Sequence, residues 1–228
     1  MIEISNCEVT GWEHAIRGMR NPMKSWCKSD SIFCKRTDCS ECVSKDDCKK
    51  ETLDYDIGIN DHELMTKLAK AGSVHAKYRR MITVYVDITA PLYFWKEFDT
   101  YKVGTVANSC STMHKIADKE FTLDDFSHEH LLPAVMLSLQ HIINILNISR
   151  RYYLQTKDKQ YWWQMIQLLP SSYNQKRTVM LNYEVLANIY KYRRNHKLDE
   201  WHYICDWIES LPYSEIITFG VKEVAECD

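Results

Sequence analysis

Apolar and polar positions recur with regular spacing from about Asp56 to about Pro212, and not before. Four stretches follow from that contrast. Residues 1–26 form a mixed N-terminal segment with two Trp, and the run Arg17-Gly18-Met19-Arg20-Asn21-Pro22 predicts a turn. Residues 27–55 are polar, Cys-rich and Lys/Asp-rich, an insertion with almost no periodicity. Residues 56–212 are the patterned core. Residues 213–228 are a tail with a short apolar run (Ile216, Ile217, Phe219, Val221) and an acidic end.

Within the core, Asn60-Asp61-His62-Glu63 is a capping-box pattern. Leu64, Leu68 and Ala71 follow at helical spacing, and Gly72 closes the segment. From Met81 to Thr89 the chain alternates, with Ile82, Val84, Val86 and Ile88 on one side and Thr83, Tyr85, Asp87 and Thr89 on the other. Such alternation predicts a strand with one face in the core. Ala90-Pro91 opens a second helix through Leu92, Trp95, Lys96 and Asp99, because proline is tolerated in a first turn. The longest helix is expected over about Ala134–Gln155, with Val135, Leu139, Ile142 and Leu146 facing inward. Two more are expected over about Asn182–His196 and Asp199–Ser210. One clear strand among these helices predicts a helix-rich α+β fold.

Composition agrees with a packed core. Apolar residues make up 45% and charged residues 26%, while 6 Gly and 5 Pro are set against 14 Tyr, 7 Trp and 6 Phe. A net charge of −2 argues against attachment to nucleic acid or membrane through a basic field. No run approaches the ~20 apolar residues of a membrane span. The N-terminus lacks the basic start and apolar run of a secretory signal. A soluble, cytoplasmic protein is expected.

Two segments depart from plain core patterning. The first, Tyr101 to His114, is a long loop of small and hydroxyl-bearing residues placed after a strand–helix unit. Backbone amides and hydroxyls at that density can cradle a phosphate, with Lys102 as counter-charge; a surface loop with turn chemistry reads equally well. The second is Leu168-Leu169-Pro170-Ser171-Ser172-Tyr173-Asn174 followed by Asn182, Asn188 and Arg193. On a helix, positions 182 and 193 share nearly one azimuth ~16 Å apart, which suits a long ligand such as a dinucleotide. Alternatively Asn182 is an N-cap and Arg193 a charge complementing the helix dipole.

These residues carry a family resemblance. Ile88-Thr89-Ala90-Pro91-Leu92-Tyr93-Phe94-Trp95-Lys96-Glu97-Phe98 with the hydroxyl loop, and the run Leu169-Pro170, Asn182, Asn188, Arg193 and Trp201, resemble the motifs of the flavin-dependent thymidylate synthases. The likeness covers roughly residues 60–205 in matching order. It implies a homotetramer with a small antiparallel sheet and FAD bound across subunit interfaces. The implied reaction makes dTMP from dUMP, with methylenetetrahydrofolate as carbon source and NADPH as reductant. In that family reduced flavin passes the one-carbon unit and supplies the hydride, so no Cys or Ser nucleophile need attack the pyrimidine. By motif position, His75, Asn182 and Asn188 would contact FAD, as would Tyr101, Lys102 and Asn108 of the loop. Glu97, Ser109, Cys110 and Ser111 would line the nucleotide pocket, and Arg193 would polarise the uracil.

The sequence departs from the family signature, an Arg-His-Arg followed by Ser after seven residues. Here the positions read Thr100-Tyr101-Lys102, with Cys110 for the Ser, and Thr112 where the family has a nucleotide-binding Arg. The guanidinium forks of three family arginines are absent, and lysine does not replace bidentate arginine. Either Lys96, His114 and Lys115 supply the charge or the nucleotide is held differently. A flavoprotein acting on another pyrimidine nucleotide is therefore one alternative. A non-catalytic relative that binds partners through its Cys-rich module is another.

Five of the nine cysteines fall between Cys27 and Cys48. Cys34, Cys39, Cys42 and Cys48 have spacing that can close around Zn²⁺, with Cys39-x2-Cys42 as the chelating pair. The same thiols suit an iron–sulfur cluster, with Cys27 as an alternative ligand, or remain unliganded. His128-x-His130 looks ligand-like, yet side chains two apart on a helix diverge. Trp162-Trp163 reads as packing.

Overall fold

The structure is a computed structural model that describes residues 2–33 and 55–219. In chain order the first elements are β1 (Glu3–Thr10), α1 (Trp12–Arg20), β2 (Ile32–Phe33), β3 (Tyr55–Asp56), α2 (Ile59–Lys70), β4 (Thr83–Pro91) and α3 (Leu92–Phe98). There follow β5 (Val106–Ser109), α4 (Thr112–Lys115), α5 (Pro133–Thr156), α6 (Lys159–Leu168), β6 (Asn174–Asn182), α7 (Tyr183–Arg193), α8 (Asp199–Glu209) and α9 (Glu215–Thr218). Strands order β1-β4-β6-β5 in a four-stranded sheet, and β2 pairs with β3 in a separate two-stranded one. Helix dominates, as expected of an α+β chain with a small antiparallel sheet. The described residues cluster into two compact units.

The first unit takes the described residues within 1–8, 85–181 and 197–204. In β4 the alternation holds as the pattern predicts: Val86, Ile88 and Ala90 are buried, while Tyr85 is exposed. On the other side of that strand Asp87 accepts hydrogen bonds from Thr178 Oγ1 (2.6 Å) and Asn6 Nδ2 (2.9 Å) and pairs with Lys176 Nζ (3.2 Å). These contacts, led by the Thr178 hydroxyl, pull its carboxyl down to about 2. Pro91 is the N-cap of α3 and so stands one residue before the first turn. Phe94, Trp95 and Phe98 of α3 pack with Trp201, the Phe94 and Trp201 ring centroids 4.7 Å apart.

A second core in this unit joins α5 and α6 through Leu139, Ile143, Leu146 and Met165, with Phe121 and Phe126 beneath them. Of the expected inward positions of α5, Leu139 and Leu146 are buried and Ile142 is partly buried against the same core, while Ile143 and Ser149 complete the buried line and Val135 does not join it. Val135 is exposed and is not among the side chains that pack on this core. Each large apolar side chain buried here contributes on the order of 1.5–3 kcal/mol.

The second unit takes the described residues within 9–84, 182–196 and from 205 onward. Residues 17–20 are helical and not a turn. Trp12, Ala15, Ile16 and Met19 recur at helical spacing and are all buried, and that stripe overrides the local breaking tendency of Gly18. The chain turns only at the 3-10 helix Asn21–Met23. Trp12 meets the rings of Tyr55, Tyr183 and Tyr213 at 5.2–5.3 Å.

Helix α2 begins at Gly58–Ile59, so Asn60 lies inside the helix and is not its cap. The cap comes from outside. Asp30 accepts from Asn60 N (2.9 Å) and Asp61 N (3.1 Å), and a Cβ on Gly58 would stand 2.2 Å from the Asp30 carboxyl carbon. The buried side of α2 is Asp61, Met65 and Ala69, with Leu64 and Leu68 half-buried. Asp61 is fully buried and faces Arg20 at 2.6 Å, while its second oxygen accepts from the Ser29 and Ser31 hydroxyls and two backbone amides. In the tail, Ile216 and Ile217 are buried, so α9 packs within this unit.

Candidate functional site

The residues singled out from the sequence divide between the two units. In the first unit, Glu97 on α3 is half-buried, and its Oε2 accepts from Trp201 Nε1 at 3.2 Å. Tyr101 sets its ring edge-on to Trp201, centroids 5.9 Å apart, so one indole supports both side chains. Lys102 is exposed, and Gly104 turns the chain at φ 78°.

The hydroxyl loop is more ordered than its composition predicts. It contains β5, an exposed strand paired antiparallel to β6 with Asn108 opposite Thr178 and Ser109 opposite Arg177. Ser111 then caps α4, accepting from His114 N at 3.1 Å. Asn108, Ser109 and Cys110 are exposed and Ser111 is half-buried, which leaves a run of polar groups along one sheet edge. Thr112, where the family signature has Arg, lies inside α4. Sequence reading missed β6 and its two polar core-side residues, Gln175 and Arg177. Arg177 stacks 4.2 Å over Trp95 and pairs with Asp99 at 2.7 Å.

In the second unit, His75 is exposed just after Gly72, whose φ of 99° closes α2. Its backbone N–H donates to Gly72 O at 3.0 Å. Asn182 caps α7, its Oδ1 accepting from Glu184 N and Val185 N, both at 3.1 Å. The capping reading of this residue therefore holds: the carbonyl oxygen serves the helix, and the amide nitrogen takes no part in the cap. Asn188 is exposed on α7 and Arg193 is half-buried in its last turn.

Arg79 and Glu184, which no sequence pattern marks, form a buried ion pair at 2.6 Å. Arg79 also donates to Ile216 O at 3.0 Å. This pair joins the 3-10 helix that follows His75 to the first turn of α7 and to α9, and so fixes His75 and Asn182 within one unit.

Asn182→Ala is expected to lower stability by about 0.5–2 kcal/mol through loss of the cap. Asn182→Asp keeps an acceptor for both amides, so its thermal midpoint is expected to stay near wild type. Calorimetry of the two variants checks this, and an Asp variant as unstable as the Ala variant would contradict the capping role.

Other candidates resolve as packing or surface pairs. His128 Nδ1 contacts Phe126 O at 2.7 Å, and His130 pairs with Asp199 at 3.1 Å. Trp162 donates to Met113 O. Burial pushes the Cys205 thiol up to about 12, so it stays protonated. Among the described residues no group of three or more His, Cys, Asp or Glu is placed to hold a metal ion. Cys34, Cys39, Cys42 and Cys48 lie outside the described residues. No helix among the described residues is long and apolar enough to cross a membrane.

Comparison of the whole fold finds known relatives of shape. No family model matches the chain, and no curated protein does. The flavin-dependent thymidylate synthase ThyX from Helicobacter pylori, in a crystal structure complexed with FAD and dUMP, is similar at 14% identity with a TM-score of 0.64. The match covers 96% of this chain and 98% of that one. The UMP/dUMP methylase PolB from Streptomyces cacaoi, bound with 5-Br dUMP, is similar at 10% identity with a TM-score of 0.56, over 94% and 92% of the two chains. The chain therefore has the helix-rich α+β fold of these enzymes across almost its full length.

Proposed function

We propose that this chain is a flavin-dependent, dUMP-modifying enzyme, and specifically that it converts dUMP to dTMP with methylenetetrahydrofolate as carbon donor and NADPH as reductant. The observation that carries the reading is the likeness of its fold, over nearly the whole chain, to a synthase whose structure is complexed with FAD and dUMP.

The donor set suits a flavin dinucleotide. Asn182 keeps Nδ2 for a ligand because its carbonyl serves the helix, and His75, Asn188, Asn108 and Lys102 present exposed polar groups. In this proposal each of them contacts FAD, as does Tyr101, whose ring Trp201 supports, with the cofactor bound across subunit interfaces. When bound, the flavin would supply the hydride and relay the one-carbon unit. Glu97, Ser109, Cys110 and Ser111 line the nucleotide pocket. Arg193 stabilises negative charge developing on the uracil by a fixed positive charge. Lys102 replaces one signature arginine as a point charge without a fork.

A homotetramer is part of the proposal. Leu137 and Ile148 of α5 are 67% and 43% exposed, apolar surface of a kind that subunit contact covers. A cytoplasmic location and a structural or regulatory role for the Cys34–Cys48 cluster, with zinc ahead of iron–sulfur, complete the reading.

A second reading, a flavoprotein that modifies a different pyrimidine nucleotide, draws on the likeness to a methylase of both UMP and dUMP. The missing Arg-His-Arg signature favours it as well.

The test is tritium release from 5-labelled dUMP under anaerobic conditions with FAD, folate and reductant. Release with dUMP supports the synthase, release only with UMP supports the second reading, and no release with either contradicts both.

A further inference from the structure

The two polar side chains on the core side of β6 are tied to the loop proposed to line the nucleotide pocket. Gln175 is 8% exposed, and its Nε2 donates to Cys110 O at 2.9 Å. Its Oε1 accepts from Arg177 Nε at 3.0 Å. A guanidinium only donates, so Arg177 dictates which end of the amide it meets and turns the amide's donor toward Cys110. Arg177 is itself held twice, by Asp99 at 2.7 Å and by the Trp95 ring 4.2 Å beneath it. Cys110 N donates to Lys176 O at 2.9 Å, so both backbone polar groups of Cys110 are fastened to β6. Ser109 on one side is in register with Arg177, and Ser111 on the other caps α4.

We infer that Asp99, Arg177 and Gln175 form a positioning relay that sets the Ser109–Cys110–Ser111 turn in its nucleotide-binding geometry. The inference rests on the nucleotide reading of that turn. The relay compensates in part for the lost signature arginines: a fork that no longer reaches ligand is replaced by one that holds the backbone presenting the ligand groups. Arg177 and Gln175 are positioning residues and touch no ligand in this account.

Two substitutions separate positioning from simple stability. Gln175→Glu still accepts from Arg177 but cannot donate to Cys110, and its charge is matched by the guanidinium. Gln175→Met removes both hydrogen bonds and adds no charge. In FAD-loaded protein both are expected to weaken dUMP binding about tenfold or more by calorimetry, equivalent to about 1.4 kcal/mol. In the nucleotide-free protein amide exchange over residues 106–111 is expected to rise in both, while Gln175→Glu keeps a thermal midpoint near wild type. A folded variant with wild-type dUMP affinity and unchanged exchange overturns the relay. Wild-type protein that ignores both dUMP and UMP overturns the nucleotide reading of the turn, and the relay's part in binding falls with it.

Discussion

Asp61→Asn is expected to destabilise the protein by about 3–5 kcal/mol, because it leaves the buried Arg20 guanidinium without its counter-charge. The neutral amide also turns a donor toward some of the donors that now converge on Asp61: Ser29 Oγ, Ser31 Oγ and the amides of Asp30 and Ser31. For a chain of this size each kcal/mol is worth about 2–4 °C, so the midpoint should fall by at least about 6 °C. Adding Arg20→Met to the variant removes the stranded charge and should recover part of the loss. A single variant within 2 °C of wild type, to take a rough threshold, would show that the pair contributes little.

The acid limb of stability carries the same signature. Burial raises the Asp61 carboxyl, but hydrogen bonds from Ser31, Ser29 and Arg20 outweigh it and leave the group below the usual carboxylate range. A lowered folded value means that the stabilisation is complete above the unfolded Asp value of about 3.9 and disappears as pH falls through the folded one. Wild-type protein should therefore lose more stability below about pH 4 than the Asn variant does.

Arg193→Ala is expected to lower dUMP turnover by about 10²–10³-fold, the scale observed when one preorganised stabiliser of developing charge is removed. Arg193 lies in the last turn of α7, half-buried, so the thermal midpoint should move far less than for Asp61→Asn. Arg193→Lys restores charge but not the planar fork, and recovery should be partial. Steady-state tritium release from 5-labelled dUMP reads the effect. Turnover within a factor of about three of wild type, less than 1 kcal/mol, would remove Arg193 from the chemistry.

Where side chains obey a period, the sequence was legible. Ile82, Val84, Val86 and Ile88 alternate without exception, and all are buried. The helices α2, α5, α7 and α8 stand within a few residues of their expected limits. Strand β6 was not legible, because Gln175 and Arg177 occupy the side that Val179 and Leu181 bury. Polar residues on a core side break the alternation, and they are tolerated here only through partners, Cys110 O, Asp99 and Trp95, that lie far away in sequence. Helix α1 carried its stripe in plain view, but Gly18 and Asn21-Pro22 gave a competing turn signal that tertiary packing overrode.

The candidate residues were legible in a different sense. Period and capping patterns placed Asn182 at a helix start, and the structure agrees. Nothing local marks Arg79 or Glu184, since an ion pair across such a separation leaves no trace in spacing. Assigning FAD and nucleotide roles to His75, Asn188, Glu97 and Arg193 came from family resemblance and remains a proposal, now supported by a fold matched over nearly the whole chain.

The most direct test of the central proposal is the absorption spectrum of anaerobically purified protein, reconstituted with FAD and recorded before and after adding dUMP. The account predicts flavin bands that shift on dUMP addition, with both ligands in one site. A colourless protein that cannot take up FAD, or bound flavin whose bands ignore dUMP, would contradict it.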